Sequence, residues 1–152
     1  MRILCVCLGN ICRSPTAEAV LRGMGRARGL AIDVDSAGTS SWHIGDAPYG
    51  PAVRAAAARG YDLTGQRARQ INSGDFERFD LVLAMDTTNL EALRRLRPQG
   101  VETPVGLFAN DQDVPDPYYT RDFDGALDLI ESAAAVRLDQ LQNASAAFPK
   151  LR

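Results

Sequence analysis

A strand that breaks into a glycine-bearing loop and restarts as a helix, all within residues 1–15, constrains this chain most. Arg2 to Val6 is a short apolar run rich in strand formers. The loop behind it carries Gly9 and Asn10, and Ser14-Pro15 opens a helix reaching to about Arg28. Serine is a favoured N-cap, and proline suits a first helical turn because its missing N–H had no partner there. Ala17, Val20, Leu21 and Met24 recur at helical spacing, and Gly29 ends the helix.

The alternation continues along the chain. Ala31 to Ser36 reads as a second strand, followed by a loop punctuated by Gly38, Gly45, Pro48 and Gly50. Pro51 to Arg59 is an alanine-rich helix, and Asn72 to Phe79 a short helix or turn. Asp80 to Met85 is the clearest buried strand. Asp86-Thr87 caps a helix to about Arg97, and Val105 to Phe108 is a fourth strand. Ala109 to Pro117 is a polar loop, and the last helix runs from Phe123 to about Gln142. This order predicts a single-domain, three-layer α/β/α fold over residues 1–152, with a central four-stranded parallel sheet. Such a chain buries about two-thirds of its unfolded surface. Ligands of such sheets bind at the carboxyl ends of the strands, which directs attention to the loop after the first strand.

Charge narrows the function classes. Lys+Arg is 17 against 19 Asp+Glu, a net charge of −2. That balance argues against nucleic-acid binding by phosphate neutralisation and against a polybasic membrane surface. No apolar run approaches the ~20 residues a membrane helix needs, and the N-terminus lacks a signal-peptide pattern, so the expected compartment is cytoplasmic. The cysteines are Cys5, Cys7 and Cys12, which make no disulfide framework, and His43 is the sole histidine. Asp111, Asp113 and Asp116 lack the closing Glu and central Gly of a calcium loop. No metal and no cofactor are expected.

The stretch Cys7-Leu8-Gly9-Asn10-Ile11-Cys12-Arg13-Ser14 has the makings of a tetrahedral oxyanion site. Successive backbone N–H groups in such a loop form an anion nest, and the following helix presents its positive end. Gly9 permits close approach of backbone to ligand, and Asn10 tolerates a left-handed conformation. Arg13 adds a planar fork for two phosphate oxygens. Cys7 sits at the mouth, where the same positive field favours its thiolate. A thiolate under a bound phosphate is a nucleophile poised for in-line attack. Ser14 can cap the helix, donate to the sulfur as it leaves, or do both. Asp116, beside Pro117, Tyr118 and Tyr119, is the best proton donor for the departing oxygen. The two aromatic rings can wall a pocket for an aryl group.

Cys7-x5-Arg13-Ser14-Pro15 together with the late Asp116-Pro117-Tyr118-Tyr119 closely resembles the low-molecular-weight protein tyrosine phosphatases. The resemblance extends through Asp35 to Thr39, Ala68-Arg69-Gln70 and Met85-Asp86. It implies that Cys7 forms a phosphocysteine, Arg13 binds the phosphoryl oxygens, and Asp116 serves as general acid and then base. It further implies that Asn10, Ser14 and Ser36 hold the loop, and that Leu8, Trp42, His43 and Tyr118 line the specificity pocket. Cys12 would trap oxidised Cys7 as a reversible disulfide, or else be filler. The implied partners are tyrosine-phosphorylated proteins, a bacterial tyrosine kinase among them, with phosphate or vanadate as inhibitors. Some family members carry a histidine just before the Ala68-Arg69-Gln70 stretch, where Gln66 and Arg67 stand here.

Competing functions separate on single residues. Arginine phosphatases resemble this loop but carry Thr at the position of Ile11, whose apolar side chain suits an aryl ring better than a guanidinium. A thiol-cascade arsenate reductase needs cysteines beyond Cys12, and there are none. A non-catalytic phosphate-binding module requires a lost nucleophile or acid. Asp86 is expected to cap a helix, and Cys5 to be a buried core residue.

Overall fold

The computed structural model describes residues 1–147; residues 148–152, included in the expected domain, lie outside the described residues. Strand β1 (Arg2–Cys7) runs through the middle of the sheet because both of its faces are apolar. Strand β2 (Asp33–Gly38) pairs with it on one side, from Arg2↔Asp33 to Cys7↔Gly38. Strand β3 (Leu81–Ala84) pairs on the other, from Ile3↔Leu81 to Val6↔Ala84, and β4 (Val105–Leu107) lies beyond it. All pairings are parallel and the order is β2-β1-β3-β4. The chain thus leaves β1 to one side and later returns to the other. The loop after β1 sits at this reversal, where the connections diverge and leave a crevice.

Side chains of β1 alternate between two cores, as the pleat dictates. Ile3, Cys5 and Cys7 join Val20 and Leu21 of helix α1 (Arg13–Ala27) and Leu127 and Ile130 of helix α6 (Phe123–Ala147). Leu4 and Val6 join Phe76 of α3 (Asp75–Arg78) and Leu90 and Leu93 of α4 (Thr87–Leu96). Helix α2 (Gly50–Ala57) closes a third, smaller cluster, setting Ala52 and Ala56 against Ile11 and Cys12 of the loop. Burying Ile3, Leu4 and Val6 on both faces contributes about 1.5–3 kcal/mol each, which anchors the strand that presents Cys7. Cys5 is fully buried in the first core, as expected. Among the described residues no helix is long and apolar enough to cross a membrane.

Several boundaries differ from the sequence reading. Helix α1 begins at Arg13, not Ser14, and its N-cap position is Cys12, with no side-chain capping bond. Ser14 is therefore not the cap; its hydroxyl faces Cys7 instead. Gly29, at φ 70°, ends α1 as expected, with Leu30 N–H bonded to Gly25 O and Gly29 N–H to Arg26 O. Strand β2 starts at Asp33 rather than Ala31. Ile32, read into that strand, packs with its neighbour Leu30 against the α1–α6 core instead of joining the sheet. Helix α6 continues to Ala147 rather than Gln142. The polar loop before it closes with one helical turn, α5 (Pro117–Thr120), which Asp116 caps.

Gly38 ends β2 directly against the loop after β1. A Cβ there would lie 2.8 Å from Leu8 O and 3.2 Å from Asn10 Cβ. The obstacle is mostly backbone, which cannot rotate away. Gly38→Ala is expected to cost about 1–3 kcal/mol of stability by overpacking and to displace the loop. Denaturation midpoints of the two proteins check this; equal midpoints would mean that the loop yields freely.

Candidate active site

The loop is held from behind by one side chain. Asn10 is 3% exposed and sits at φ 58°, the left-handed conformation expected of it. Its Nδ2 donates to Ser14 Oγ at 2.9 Å and to Ser36 Oγ at 3.0 Å. Its Oδ1 accepts from Arg69 N–H at 3.0 Å, which fixes the orientation of the amide. Its own backbone N–H donates to Cys7 Sγ at 3.2 Å. Ser14 Oγ lies 3.0 Å from the same sulfur. Cys7, the last residue of β1, thus has two polar groups on its sulfur while being 3% exposed. Gly9 is not in the left-handed region; a Cβ on it would meet His43 Cδ2 at 3.0 Å. Its smallness makes room for the imidazole at the mouth.

Arg13 is the first residue of α1 and is 3% exposed. Its Nη1 donates to Asp86 Oδ2 at 2.7 Å and to Val114 O at 2.9 Å; its Nη2 reaches Asp116 Oδ2 at 3.4 Å. Burial works to lower the Arg13 pKa, but Cys7, Asp86 and Asp116 outweigh it and the net shift is upward. The guanidinium stays charged, as an anion clamp requires. Asp116 caps α5, its Oδ1 accepting Tyr118 N–H at 3.0 Å, so its other oxygen is left for the cleft.

Cys7, Leu8, Gly9, Ile11, Cys12 and Arg13 line one cleft of about 160 Å³ together with Trp42, His43, Asp116, Tyr118 and Tyr119. The residues assigned from sequence to catalysis and to the pocket are therefore brought together. Asn10, Ser14 and Ser36, assigned to loop support, are buried behind it. Tyr118 packs on Tyr49 and edge-on to Tyr119, with ring centroids 5.2 Å apart in each pair. Trp42 is 70% exposed, a rim rather than a core side chain. His43 Nδ1 lies 3.1 Å from Asp46 Oδ2. Cys12 is buried, and that burial, with Asp116 and Cys7 nearby, pushes its thiol up to about 12.

Some working residues escaped the sequence reading. Asp86 caps α4 through Oδ1, which accepts Asn89 N–H at 2.7 Å, as expected, but its Oδ2 also anchors Arg13. Its place at the carboxyl end of β3, the neighbour of β1, is the signal that pointed there. Glu18 accepts from Ser36 at 2.8 Å and from Arg22 at 2.6 Å. Burial pushes the Glu18 carboxyl up against those two bonds, with a net rise. Gln66 places Oε1 3.4 Å from Ser36 Oγ and donates through Nε2 to Pro15 O at 3.0 Å. Asp75, 1% exposed, accepts from the side chains of Arg69 and Arg78 and from Asn72 N–H. Among the described residues no cluster of three or more His, Cys, Asp and Glu is placed to hold a metal ion. Asp113 is instead occupied by Thr87, accepting from its N–H and its hydroxyl.

A cysteine and an arginine share this cleft, at the loop between a strand and a helix, the layout of a cysteine-dependent phosphatase. The family model for the low molecular weight phosphotyrosine protein phosphatases matches residues 2–147. The chain is 37% identical over 150 residues to the Bacillus subtilis low molecular weight protein-tyrosine-phosphatase YfkJ, covering 92% of this chain and 95% of that one. The crystal structure of YfkJ superposes with a TM-score of 0.89, at 36% identity, over 95% of this chain and 96% of that one. A Streptomyces coelicolor low molecular weight protein-tyrosine-phosphatase is 41% identical over 146 residues, covering 88% of each chain. A Drosophila arginine phosphatase superposes with a TM-score of 0.87 at 31% identity, over 93% of this chain and 98% of that one. The chain belongs to the low molecular weight phosphotyrosine protein phosphatase family.

Two outcomes follow from the anchors. Asp86→Ala frees one arm of the Arg13 fork; inorganic phosphate should bind at least ~10-fold more weakly, given ~1.5–3 kcal/mol for a hydrogen bond to a charged group. Competitive inhibition by phosphate measures it, and an unchanged inhibition constant would remove Asp86 from the clamp. Burial works to raise the Asp75 pKa, but the bonds from Arg69, Asn72 and Arg78 outweigh it and the net shift is downward. A depressed folded pKa gives stability that is present above the unfolded value, about 3.9, and lost as pH falls through the folded one. Melting temperature should therefore fall below about pH 4 more steeply in the native protein than in Asp75→Asn. Parallel slopes would mean that the pair of arginines adds nothing.

Proposed function

We propose that the whole chain, 1–152, is one catalytic domain that hydrolyses phosphotyrosine in proteins, with Cys7 as nucleophile, Arg13 as phosphoryl clamp and Asp116 as general acid and base. The observation that carries the assignment is the sharing of one cleft by the Cys7 sulfur, the Arg13 fork and the Asp116 carboxyl. In the first step the thiolate attacks phosphorus while Asp116 protonates the leaving phenol oxygen. Water, deprotonated by the resulting carboxylate, then attacks the phosphocysteine. The P–S bond breaks with its electron pair on sulfur, and phosphate departs. Backbone N–H groups of the loop and the Arg13 guanidinium hold the charge spread over the equatorial oxygens.

The aryl group fits the walls. Tyr118, His43 and the apolar Ile11 line the cleft, with the more exposed Trp42 and Tyr119 on its rim. Such a slot suits a flat ring that carries its phosphate down to the loop. The Drosophila arginine phosphatase superposes almost as closely as the tyrosine phosphatases, so the backbone leaves the choice of substrate to these side chains. Phosphate and vanadate, which occupy the oxyanion loop, are the expected inhibitors. A tyrosine kinase of a bacterial cell is the partner class this activity would act upon. Cys12 is the candidate to trap oxidised Cys7; its raised pKa makes it a slow nucleophile in that role.

Matched phosphotyrosine, phosphoserine and phosphoarginine peptides, with Cys7→Ser as control, test the proposal. Phosphotyrosine should have the highest kcat/KM, and Cys7→Ser should bind phosphate without turnover. Asp116→Asn should lower kcat by about 10²–10⁴. A phosphoarginine preference would overturn the substrate assignment. Turnover by Cys7→Ser would overturn the mechanism.

A further inference from the structure

A cation beside the cleft has no part in the mechanism above. Arg121 follows α5 at φ 64°, left-handed backbone that an L side chain adopts only at a cost. Such strain persists only where the surroundings hold it, and it collects at functional sites. Here two aromatic rings hold it. The guanidinium carbon lies 5.4 Å from the ring centre of Tyr49 and 5.2 Å from that of Phe123. Nη1 donates to the Tyr49 hydroxyl at 3.1 Å and to Tyr118 O at 3.4 Å. Among the described residues no carboxylate pairs with Arg121, and its Nε and Nη2 meet no acceptor. The neighbouring Asp122 faces Gly125, whose N–H it accepts at 2.8 Å. A planar fork is thus held in place and exposed, with its Nε–Nη2 edge open to a carboxylate.

The place of that fork gives it a use. Ile11, His43 and Tyr118 line the cleft and also a second groove of about 400 Å³, whose other lining residues run from Asp46 to Gly50. Tyr49 belongs to this groove, packs on Tyr118 and carries Arg121 on its hydroxyl. Asp46 lies against His43 and makes that end of the groove acidic, while Arg121 makes the Tyr49 end basic. An anionic side chain is therefore drawn to the Tyr49 end. A peptide whose phosphotyrosine fills the cleft runs out over its rim at about 3.3–3.6 Å per extended residue. Its nearest flanking residues then come within reach of Tyr49 and Arg121.

We propose that Arg121, presented by Tyr49, is a specificity-determining residue that pairs with an Asp or Glu within two positions of the phosphotyrosine in the substrate protein. The proposal rests on the phosphotyrosine reading above. The bound carboxylate takes N–H bonds from Nε and Nη2, and Nη1 stays on the Tyr49 hydroxyl. Because the pair forms at the surface, its effect is modest and weakens with salt.

Peptides with one phosphotyrosine among neutral residues, and a single Glu or Gln at each of the two positions on either side, test this. The ratio of kcat/KM between the Glu and Gln peptides divides out any loss of fold or chemistry common to both. At the preferred position it should be about three- to fivefold at low salt, the scale of an exposed ion pair. It should approach one in ~1 M salt, where the screening length is about 3 Å. In Arg121→Gly, which suits the left-handed backbone and keeps the turn, the ratio should be near one at every position. In Arg121→Glu the Glu peptide should become the poorer of the two. A ratio near one at all four positions in the native protein, or a preference that survives Arg121→Gly, would overturn the proposal and leave the phosphotyrosine assignment standing. No turnover of any of these peptides by the native protein would overturn both.

Discussion

A single left-handed residue organises the site. Placing a non-glycine residue at φ 58° costs Asn10 about 1–2 kcal/mol relative to right-handed backbone. Its side chain makes three hydrogen bonds and its backbone N–H a fourth, each worth about 0.5–1.5 kcal/mol net. The sum outweighs the strain, and the residue stays where it is put. This turn aims the Asn10 N–H at the Cys7 sulfur and sets the Ser14 hydroxyl against the same atom. The apolar environment of β1 then excludes water from all but the open side of Cys7. Most of the site's geometry descends from that asparagine and from the strand that leads into it.

Arg13 is the second constraint, and it acts through charge. A guanidinium that is 3% exposed is costly unless its donors are satisfied and its charge is answered. Two carboxylates and a backbone carbonyl answer it, from the ends of β3 and of the loop before α5. These are separate segments of chain, and the sheet brings them to the same edge. The pairing of Arg13 with Asp116 also holds that carboxyl at the cleft. In the proposed mechanism, a phosphoryl group entering the loop would compete for the same guanidinium and free Asp116 toward the leaving oxygen. The proposed clamp and the proposed acid would thus be coupled through one side chain.

Much of this was legible in the sequence, because the informative features are local. The run Arg2 to Val6, the loop with Gly9 and Asn10, and the helix behind it specify the first β-α connection without outside help. The Cys7–Arg13 spacing and the Asp116-Pro117 pair identify the site through residue types. The errors arose where distant segments decide. The register of β2 is set by β1, so Ile32, read as strand, belongs to a helix interface instead. Ser14 reads as an N-cap locally, yet the sulfur claims its hydroxyl in three dimensions. The second role of Asp86 depends on β3 lying beside β1, and the bond between Glu18 and Ser36 on β2 carrying Ser36 beside α1. Neither neighbour is near in sequence.

The central claim is that phosphate passes through the Cys7 sulfur in a cleft shared with Arg13 and Asp116. Acid quenching during turnover of a phosphotyrosine substrate, followed by peptide mass spectrometry, tests it directly. Phosphate should be found on the peptide containing Cys7, on that cysteine and not on Cys5 or Cys12. A protein that turns over normally yet never carries phosphate on Cys7, or carries it on another side chain, would contradict the account.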